Sequence, residues 1–223
     1  MPRVTLIPLF LCSLFLFCGK AWSEQSPDFR IIEEDGQTIL DRYCGSEKDV
    51  TIPKGVTKIS SHAFSDNKSI TSVVIPEGVT KIEDWTFSKC DSLKSVVIPE
   101  SVKEIGPGAF AFCIGLKEWP ISSNHPFFKR DGNVLLTKDG KKLVACLPPA
   151  KEYRIPEGVT EIGDYAFYGC VFLTSVEIPE SVTVIGNYAF ENCPNLTIHA
   201  PAGSEAEEYA KWYQIPFNRV PGK

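Results

Sequence analysis

The chain has 223 residues, of which 43% are hydrophobic and 23% are charged, and this globular composition excludes a disordered or collagen-like protein. A formal net charge of −5 gives the chain no overall basic excess, which is the usual feature of proteins that bind nucleic acids or anionic lipids. The longest apolar run, Leu6–Phe17, is too short to span a bilayer. We therefore expect no nucleic-acid partner and no membrane span.

Residues 1–23 have the features of a secretory signal peptide. Arg3 supplies a short basic region, and Leu6–Phe17 supplies the apolar region that follows it. Ala21 and Ser23 are the small residues that signal peptidase requires three residues and one residue before the cleaved bond. This arrangement predicts that the chain is exported.

Cleavage at this point starts the exported chain at Glu24 and places it in the periplasm, at the cell surface or outside the cell. An alternative is that Cys18 is the acylated cysteine of a bacterial lipoprotein. That alternative needs a small residue immediately before the cysteine, and Phe17 is large. The sequence therefore favours soluble export over lipidation.

The rest of the chain contains an internal repeat of 23 residues. Each unit begins with an Ile-Pro step and places apolar residues at unit positions 1, 5, 8, 13, 19 and 22. The five units begin at Ile52, Ile75, Ile98, Ile155 and Ile178. A unit of this length is one coil of a solenoid, and a coil can bury its apolar face only by stacking on its neighbours.

Two segments of each unit are predicted to form strands that pair in parallel with those of neighbouring coils. In the stretch Leu93–Ile98, the residues Leu93, Val96 and Ile98 point inward, and the next proline ends the strand because it has no N–H. The Val-x-x-Ile pattern that follows predicts a second, shorter strand. We expect a mainly β repeat solenoid, with the phenylalanine of unit position 13 inside each coil.

Unit position 16 accounts for most of the cysteines. It holds Asn67 in the first unit and cysteine in the other four, namely Cys90, Cys113, Cys170 and Cys193. Both residue types hydrogen-bond to the backbone of a tight turn. We expect a reduced, buried ladder of thiols, and bridges between Cys90 and Cys113 or between Cys170 and Cys193 are the alternative. No two cysteines have the two-to-four-residue spacing of a zinc site.

The unit pattern closely resembles the BspA-like leucine-rich repeat family, also called the treponemal type. The motif is Ile-Pro-x-x-Val-x-x-Ile-x-x-x-x-Phe-x-x-Cys-x-x-Leu-x-x-Val, and the resemblance covers residues 29–220. It implies a curved solenoid with a parallel sheet that is used for binding, often in adhesion or attachment to host proteins. It implies no catalytic residues and no cofactor.

Residues 121–154 interrupt the repeat. Two apolar runs flank the sequence Lys138-Asp139-Gly140-Lys141, and this arrangement predicts an inserted β-hairpin with a glycine turn. Similar hairpin-bearing repeats are common in the family that the chain resembles.

Both ends of the repeat are predicted to be capped. Residues 29–51 have the pattern of a degenerate first coil, and Ser204–Glu207 is a capping box that starts a short C-terminal helix. The predicted organisation is a signal peptide (1–23), an N-terminal linker and capping repeat (24–51), leucine-rich repeats (52–120), a variant repeat with the hairpin (121–154), leucine-rich repeats (155–200) and a C-terminal cap (201–223).

No constellation of residues predicts catalysis or metal binding. The histidines His62, His125 and His199 occupy different unit positions in different coils, so they predict no convergent pair. A hydrolase that uses His62 or His125 is the weakest alternative. The Asp-Gly steps lack the carboxylate spacing of a calcium loop and predict turns. We expect no catalytic residue, no metal and no cofactor.

Unit positions 21 and 23 are predicted to point outward from the main sheet and to form a face for a partner. The candidate residues are Ser72, Val74, Ser95, Val97, Glu118, Pro120, Ser175 and Glu177, with Phe127 and Phe128 added by the hairpin and Ile198 and Ala200 as the equivalents in the last unit. Val74, Val97 and Pro120 are expected to form an apolar strip. Such residues either simply suit a strand or mark a contact surface, and both interpretations stay open.

The sequence thus predicts an exported, non-enzymatic repeat domain that binds a protein ligand of unknown identity. The first alternative is a structural envelope protein whose main partner is another copy of itself, and this alternative predicts a homo-oligomer. A hydrolase is the second alternative.

Overall fold

The structure is a computed structural model that describes residues 27–119, 121–148 and 150–221. Its elements in chain order are β1 (Phe29–Glu34), β2 (Gln37–Tyr43), β3 (Asp49–Thr51), β4 (Lys58–Ile59), β5 (Ser72–Val74), β6 (Lys81–Ile82), β7 (Ser95–Val97), β8 (Glu104–Ile105), β9 (Phe128–Asp131), β10 (Val134–Thr137), β11 (Lys142–Cys146), β12 (Glu152–Arg154), β13 (Glu161–Ile162), β14 (Ser175–Glu177), β15 (Val184–Ile185), β16 (Thr197–Ala200), α1 (Glu205–Tyr213) and β17 (Phe217–Arg219).

The regular coils stack through two parallel ladders. The two-residue strands β4, β6 and β8 form one ladder, and the three-residue strands β3, β5 and β7 form the other. In the first ladder Ile59 lies opposite Ile82, and Ile82 lies opposite Ile105, so each step equals one 23-residue unit. This arrangement confirms the predicted mainly β solenoid, including the shorter second strand of each unit.

Four sheets divide the coils into two stacks. The sheets β1-β2-β4-β6-β8 and β3-β5-β7 belong to the first stack, and the sheets β15-β13-β11-β10-β9 and β12-β14-β16-β17 belong to the second. Each stack has its own cluster of buried apolar side chains, and Phe128, Leu135 and Leu147 of the insertion pack into the cluster of the first stack. The junction between the two stacks, around residues 121–154, is called the seam below.

Each stack begins with an antiparallel hairpin. The β1–β2 hairpin turns at Asp35-Gly36, and the β10–β11 hairpin turns at Asp139-Gly140, as the sequence predicted for the insertion. Gly36 and Gly140 have φ values of +73° and +76°, which glycine adopts without a steric penalty. The additional strand β9, which pairs with β10, was not predicted.

A column of aromatic rings fills the interior of the first stack. Neighbouring rings of Tyr43, Phe64, Phe87 and Phe110 are stacked with centroids 5.0–5.2 Å apart. Trp119 meets the end of this column edge-on, 5.1 Å from Phe110. The interior position of the unit-13 ring is therefore confirmed, and each coil presents a flat ring for its neighbour to pack on.

The cysteines of unit position 16 join each coil to the one before it. The Sγ of Cys90 donates to the carbonyl oxygen of Phe64, and the Sγ of Cys113 donates to that of Phe87, both at 3.1 Å. Asn67 instead accepts hydrogen bonds from backbone N–H groups within its own turn. The hydrogen bond that was predicted between unit position 16 and a turn is therefore present. The cysteines, however, bond to the backbone of the preceding coil and not to their own turn.

The chain that begins at Glu24 is expected to contain six free thiols when it is unfolded without prior reduction. In the folded protein only the exposed Cys44 is expected to react quickly with a thiol reagent. Burial raises the pKa of Cys90 to about 12 and also raises the pKa of Cys113 and Cys193, so little of the reactive thiolate forms at these sites. Titration with a thiol reagent before and after denaturation counts the reactive thiols of the folded and the unfolded chain. Only two thiols in the unfolded chain would mean that the other four cysteines form two disulfides.

Helix α1 covers the last coil as the capping box predicted. The hydroxyl of Ser204 accepts a hydrogen bond from the backbone N–H of Glu207, and the Glu207 carboxylate accepts one from the N–H of Gly203. Ala206 and Tyr209 are buried against the second stack. The helix therefore shields the apolar end of this stack from water.

Candidate interaction surface

Val74 and Val97, two of the three residues of the predicted apolar strip, lie on the outward side of β5 and β7. Val74 and Val97 lie directly opposite each other in this ladder and are 40% and 51% exposed, whereas Val73 beside them is buried. Ser72 and Ser95 are paired in the same way on the same side. The two valines therefore form a small continuous apolar surface that is bordered by serine hydroxyls.

The equivalent positions of the second stack are polar. Arg154, Glu177 and His199 follow one another in the register of β12, β14 and β16. Arg154 and Glu177 form an ion pair of 3.2 Å, and Ser175, two residues before Glu177 on the same side of β14, is half-buried. The candidate residues therefore divide between an apolar patch on the first stack and a charged row on the second.

The candidates near the insertion have different surroundings. Glu118 is exposed and forms an ion pair with Arg130 at 3.3 Å, and Pro120 lies outside the described residues. Phe127 is 38% exposed, but Phe128 is only 3% exposed and packs into the core of the first stack. The predicted surface role of Phe128 is wrong, because β9 directs its first side chain inward.

The predicted outward orientation of Ile198 and Ala200 is also wrong, because both are fully buried. The last unit is one residue shorter between its unit-19 leucine and its strand, and the ladder consequently pairs Val176 with Ile198 and Glu177 with His199. A shift of one residue moves every side chain of a strand to the opposite face.

A cluster of aromatic side chains that the sequence reasoning missed bridges the two stacks. Trp85 of the first stack lies 4.7 Å from Tyr165 and 5.2 Å from Tyr168 of the second, measured between ring centroids. Phe112 lies 5.4 Å from Tyr168 in the same way, and Tyr188 stacks on Tyr165. The sequence shows that aromatic residues recur at unit position 11. It does not show that residues of units that are not neighbours are in contact.

Gly108 occupies unit position 11 in the coil between Trp85 and Tyr165. A Cβ atom at this position would lie 2.5 Å from the Trp85 ring, so only glycine leaves room for the indole. The φ value of +65° at Gly108 matches the left-handed conformation that all five units adopt at this position. The missing side chain thus allows Trp85 to reach across the seam.

The three histidines do not converge. His125 is fully buried, and its Nε2 lies 3.1 Å from the carbonyl oxygen of Pro99, while its Nδ1 accepts hydrogen bonds from the N–H groups of Phe127 and Phe128. This ring therefore links the coil that contains Pro99 to the insertion. His62 lies in an exposed turn of another coil. Within residues 27–221, as far as they are described, no group of three or more potential metal ligands is found.

A model of the BspA-type leucine-rich repeat region matches the chain in six copies, over residues 42–131 and 144–207, which is more than half of its length. The chain belongs to the BspA-type leucine-rich repeat family. The family predicted from the unit motif is therefore confirmed. Such repeat domains form interaction scaffolds that are typically non-enzymatic, and BspA-type proteins are typically secreted or located at the cell surface.

Solved structures with the same fold include a leucine-rich repeat protein of T. pallidum. It has 24% sequence identity and a TM-score of 0.53, over 78% of this chain and 81% of that one. A leucine-rich cell surface protein of Faecalibacterium prausnitzii has 23% identity and a TM-score of 0.46, over 81% of this chain and 76% of that one. No curated protein sequence matches the chain. Among the described residues, no helix has the length and apolar character needed to cross a bilayer.

Proposed function

We propose that this BspA-type protein is exported and acts as a protein-binding module that attaches to host or cell-envelope proteins. The observation that carries the proposal is the adjacent exposure of Val74 and Val97 on the outward side of the β5–β7 ladder. A single exposed valine is ordinary on a strand, but neighbouring apolar side chains that are bordered by polar groups are typical of a contact surface. Ser72 and Ser95 supply that polar border.

The partner face extends from the valines toward the seam. Glu118 and Phe127 add an exposed carboxylate and an exposed ring on the side of the insertion, and Ser175 and Glu177 add polar groups on the second stack. Protein interfaces combine such an apolar centre with a polar rim. A partner that covers Val97 therefore also meets charged groups, which supply orientation more than affinity.

Val97→Lys is expected to weaken binding to immobilised extracellular or envelope proteins by about tenfold or more, because an unpaired ammonium would be buried in the contact. The folded chain should be unaffected, since this side chain points away from the core. The matched control is Val184→Lys, which changes an equally exposed valine on the second stack. Surface plasmon resonance measures both variants, and equal losses in the two variants would contradict this role of the strip.

Self-association is the second candidate function, because the same strip in two chains could pair around a twofold axis. Sedimentation velocity of the wild type and of Val97→Lys at matched concentrations separates the two functions. A wild type that dimerises and a variant that does not would favour the envelope alternative. A monomeric wild type would leave the strip as a face for other proteins.

The proposal also includes export and the absence of catalysis. The signal peptide and Cys18 lie outside the described residues, so support for export comes from the sequence and from the usual location of the family. Protease accessibility on intact cells distinguishes a surface location from the periplasm. The hydrogen bonds of His125 to backbone groups support a structural role for this side chain. Hydrolytic activity of the wild type that His62→Ala or His125→Ala abolishes would contradict the proposal that the protein is not an enzyme.

A further inference from the structure

The aromatic rings that bridge the two stacks also form part of the protein surface. These five rings, called the seam cluster below, are Trp85, Phe112, Tyr165, Tyr168 and Tyr188. Tyr188 is 45% exposed, and the other four are half-buried. Contiguous aromatic rings that stay accessible to solvent are typical of a contact surface.

The turns that carry the seam cluster are acidic. Unit positions 9–18 of the last two units of the first stack and of both units of the second contain five acidic residues and one lysine, Lys89. The asymmetry continues beyond the seam, because residues 155–210 contain nine acidic residues and neither lysine nor arginine. A partner that covers these turns therefore meets an excess of negative charge.

Most of the carboxylates in these turns are not neutralised within the protein. Glu83 and Asp91 are paired with lysines. The other three are exposed and form no ion pair within the part of the chain that the structure describes, namely Asp84, Asp164 and Glu191. The exposed Lys89 is unpaired in the same sense, so three available carboxylates stand against one available cation.

The available carboxylates lie beside the rings. Asp84 immediately precedes Trp85, and Asp164 immediately precedes Tyr165. Burial raises the pKa of Tyr165, and the negative charges of Asp164 and Glu191 are among the nearby groups that raise it further. The face of an aromatic ring and a carboxylate both attract a cation, so the rings and the carboxylates favour the same kind of ligand.

The lysines on the other side of Asp164 do not cancel this charge. Asp164 also lines a cleft toward β8, together with Lys103, Glu104 and Lys142. This cleft contains two lysines and two carboxylates, and Lys142 is paired with Glu161. The cleft is therefore neutral as a whole, and Asp84 and Glu191 do not line it.

The seam cluster also offers hydrogen-bond donors. The indole N–H of Trp85 and the hydroxyls of Tyr165, Tyr168 and Tyr188 donate to no other described residue. A ligand that covers these donors must supply acceptors, because a buried donor without a partner is costly. The carbonyl groups of a polypeptide are such acceptors, whereas a polyamine has none.

We propose that the seam cluster binds a basic segment of a partner protein, whose arginine side chains stack on the exposed rings and pair with Asp84, Asp164 and Glu191. Arginine fits better than lysine, because its planar guanidinium stacks on a ring and binds a carboxylate through two N–H groups. This inference rests on the proposed protein-binding function and adds a second contact surface with a partner of stated chemistry.

The test uses the chain from Glu24 and a labelled peptide of alternating arginine and serine, with binding measured by fluorescence anisotropy. The double variant Asp164→Asn/Glu191→Gln is expected to lose about fivefold or more in affinity. Asparagine keeps the side-chain oxygen that accepts the N–H of Asn187, so the turn should be preserved. High salt should weaken binding to the wild type.

The control Glu77→Gln/Glu100→Gln removes the same charge from two exposed carboxylates at unit position 3 and should retain binding within about twofold. An equal loss in the control would mean a general attraction to an acidic protein and would overturn the proposal. Thermal unfolding of both double variants ensures that a loss of binding is not a loss of folding.

The role of the rings is tested separately. Tyr188→Ala is expected to weaken binding by about threefold or more, and Tyr188→Phe, which keeps the ring, should retain it within about twofold. Trp212→Ala is the matched control, because it removes an 82% exposed ring outside the seam cluster. Full binding by Tyr188→Ala, together with equal binding of arginine and lysine peptides, would overturn stacking on the rings.

The class of ligand is tested with spermidine. Spermidine that binds with the same dependence on Asp164 and Glu191 when the peptide does not bind would assign the surface to polyamines and overturn the proposal. The absence of binding by either probe would also overturn it.

The outcome is separable from that of the proposed function. Val97 lies on the β3-β5-β7 sheet and not in these turns, so Val97→Lys should bind the basic peptide like the wild type. A peptide that fails to bind while extracellular proteins still bind through Val97 overturns this inference alone. Peptide binding without any dependence of extracellular-protein binding on Val97 overturns the strip and leaves the seam cluster as the contact surface.

Discussion

Phe110→Ala is expected to lower the free energy of unfolding by about 3–5 kcal/mol, which is the usual cost of removing a buried aromatic ring. The ring of Phe110 is almost fully buried and lies between Phe87 and Trp119, with centroid distances of 5.2 Å and 5.1 Å. Its removal would leave a cavity between Phe87 and Trp119, at the end of the first stack that meets the insertion. Neighbouring coils cannot close such a gap without breaking both ladders.

Denaturant titration followed by circular dichroism measures this loss. Phe172→Ala is the matched control, because it removes the same ring from a site that is 52% exposed, and it should cost less than about 1 kcal/mol. A similarly small cost for Phe110→Ala would show that this ring does not support the stack. Two unfolding transitions, of which Phe110→Ala shifts only one, would indicate that the two stacks unfold separately.

Gly108→Ala is expected to destabilise the protein by about 2–5 kcal/mol, through two effects that act at one atom. A left-handed backbone costs alanine about 1–2 kcal/mol relative to glycine, and the φ value here is +65°. The added Cβ would also lie 2.5 Å from the Trp85 ring, so the indole must move away from Tyr165 and Tyr168. Overpacking of this kind costs about 1–3 kcal/mol.

Gly36→Ala separates the two effects. Gly36 has a similar φ value of +73°, but an added Cβ there meets no atom within 4 Å. This control should show only the backbone cost of about 1–2 kcal/mol. Near-ultraviolet circular dichroism and tryptophan fluorescence report Trp85 together with Trp119 and Trp212, so a spectral change that occurs in Gly108→Ala and not in Gly36→Ala is assigned to Trp85. Equal costs for the two variants, with no spectral change in Gly108→Ala, would mean that the seam does not depend on this contact.

The repeating parts of the fold could be predicted from the sequence. The spacing of Ile75, Val79, Ile82 and Phe87 and its recurrence every 23 residues specify which side of a coil faces inward, because each coil contacts chiefly its neighbours and all coils obey the same geometry. The hairpin turn at Asp139-Gly140 was predictable for another local reason, since a glycine in a left-handed turn sets the hairpin.

The orientation of individual outward residues could be predicted only where the register is regular. Val74 and Val97 are exposed as predicted, because their units have the full length. Ile198 is buried because its unit lacks one residue, and Phe128 is buried because β9 begins at the seam, where no repeat sets the phase. Ile198 was predicted to be exposed from its unit position and Phe128 from its place in the hairpin, and the hydrogen-bonded pairing decided otherwise.

Contacts across the seam were decided only by the tertiary structure. Trp85 and Tyr165 belong to units that are not neighbours in the repeat, and they meet because the coil formed by the insertion lies between the stacks. The same insertion brings Lys129 and Lys141 to one cleft with the loop Pro156–Gly158. The amino-acid sequence by itself determined the coil, its inward side and its caps, since these follow from local spacing and nearest-neighbour packing. The irregular coil determined how the two stacks meet, because its path is set by burial against both of them and by no repeating pattern.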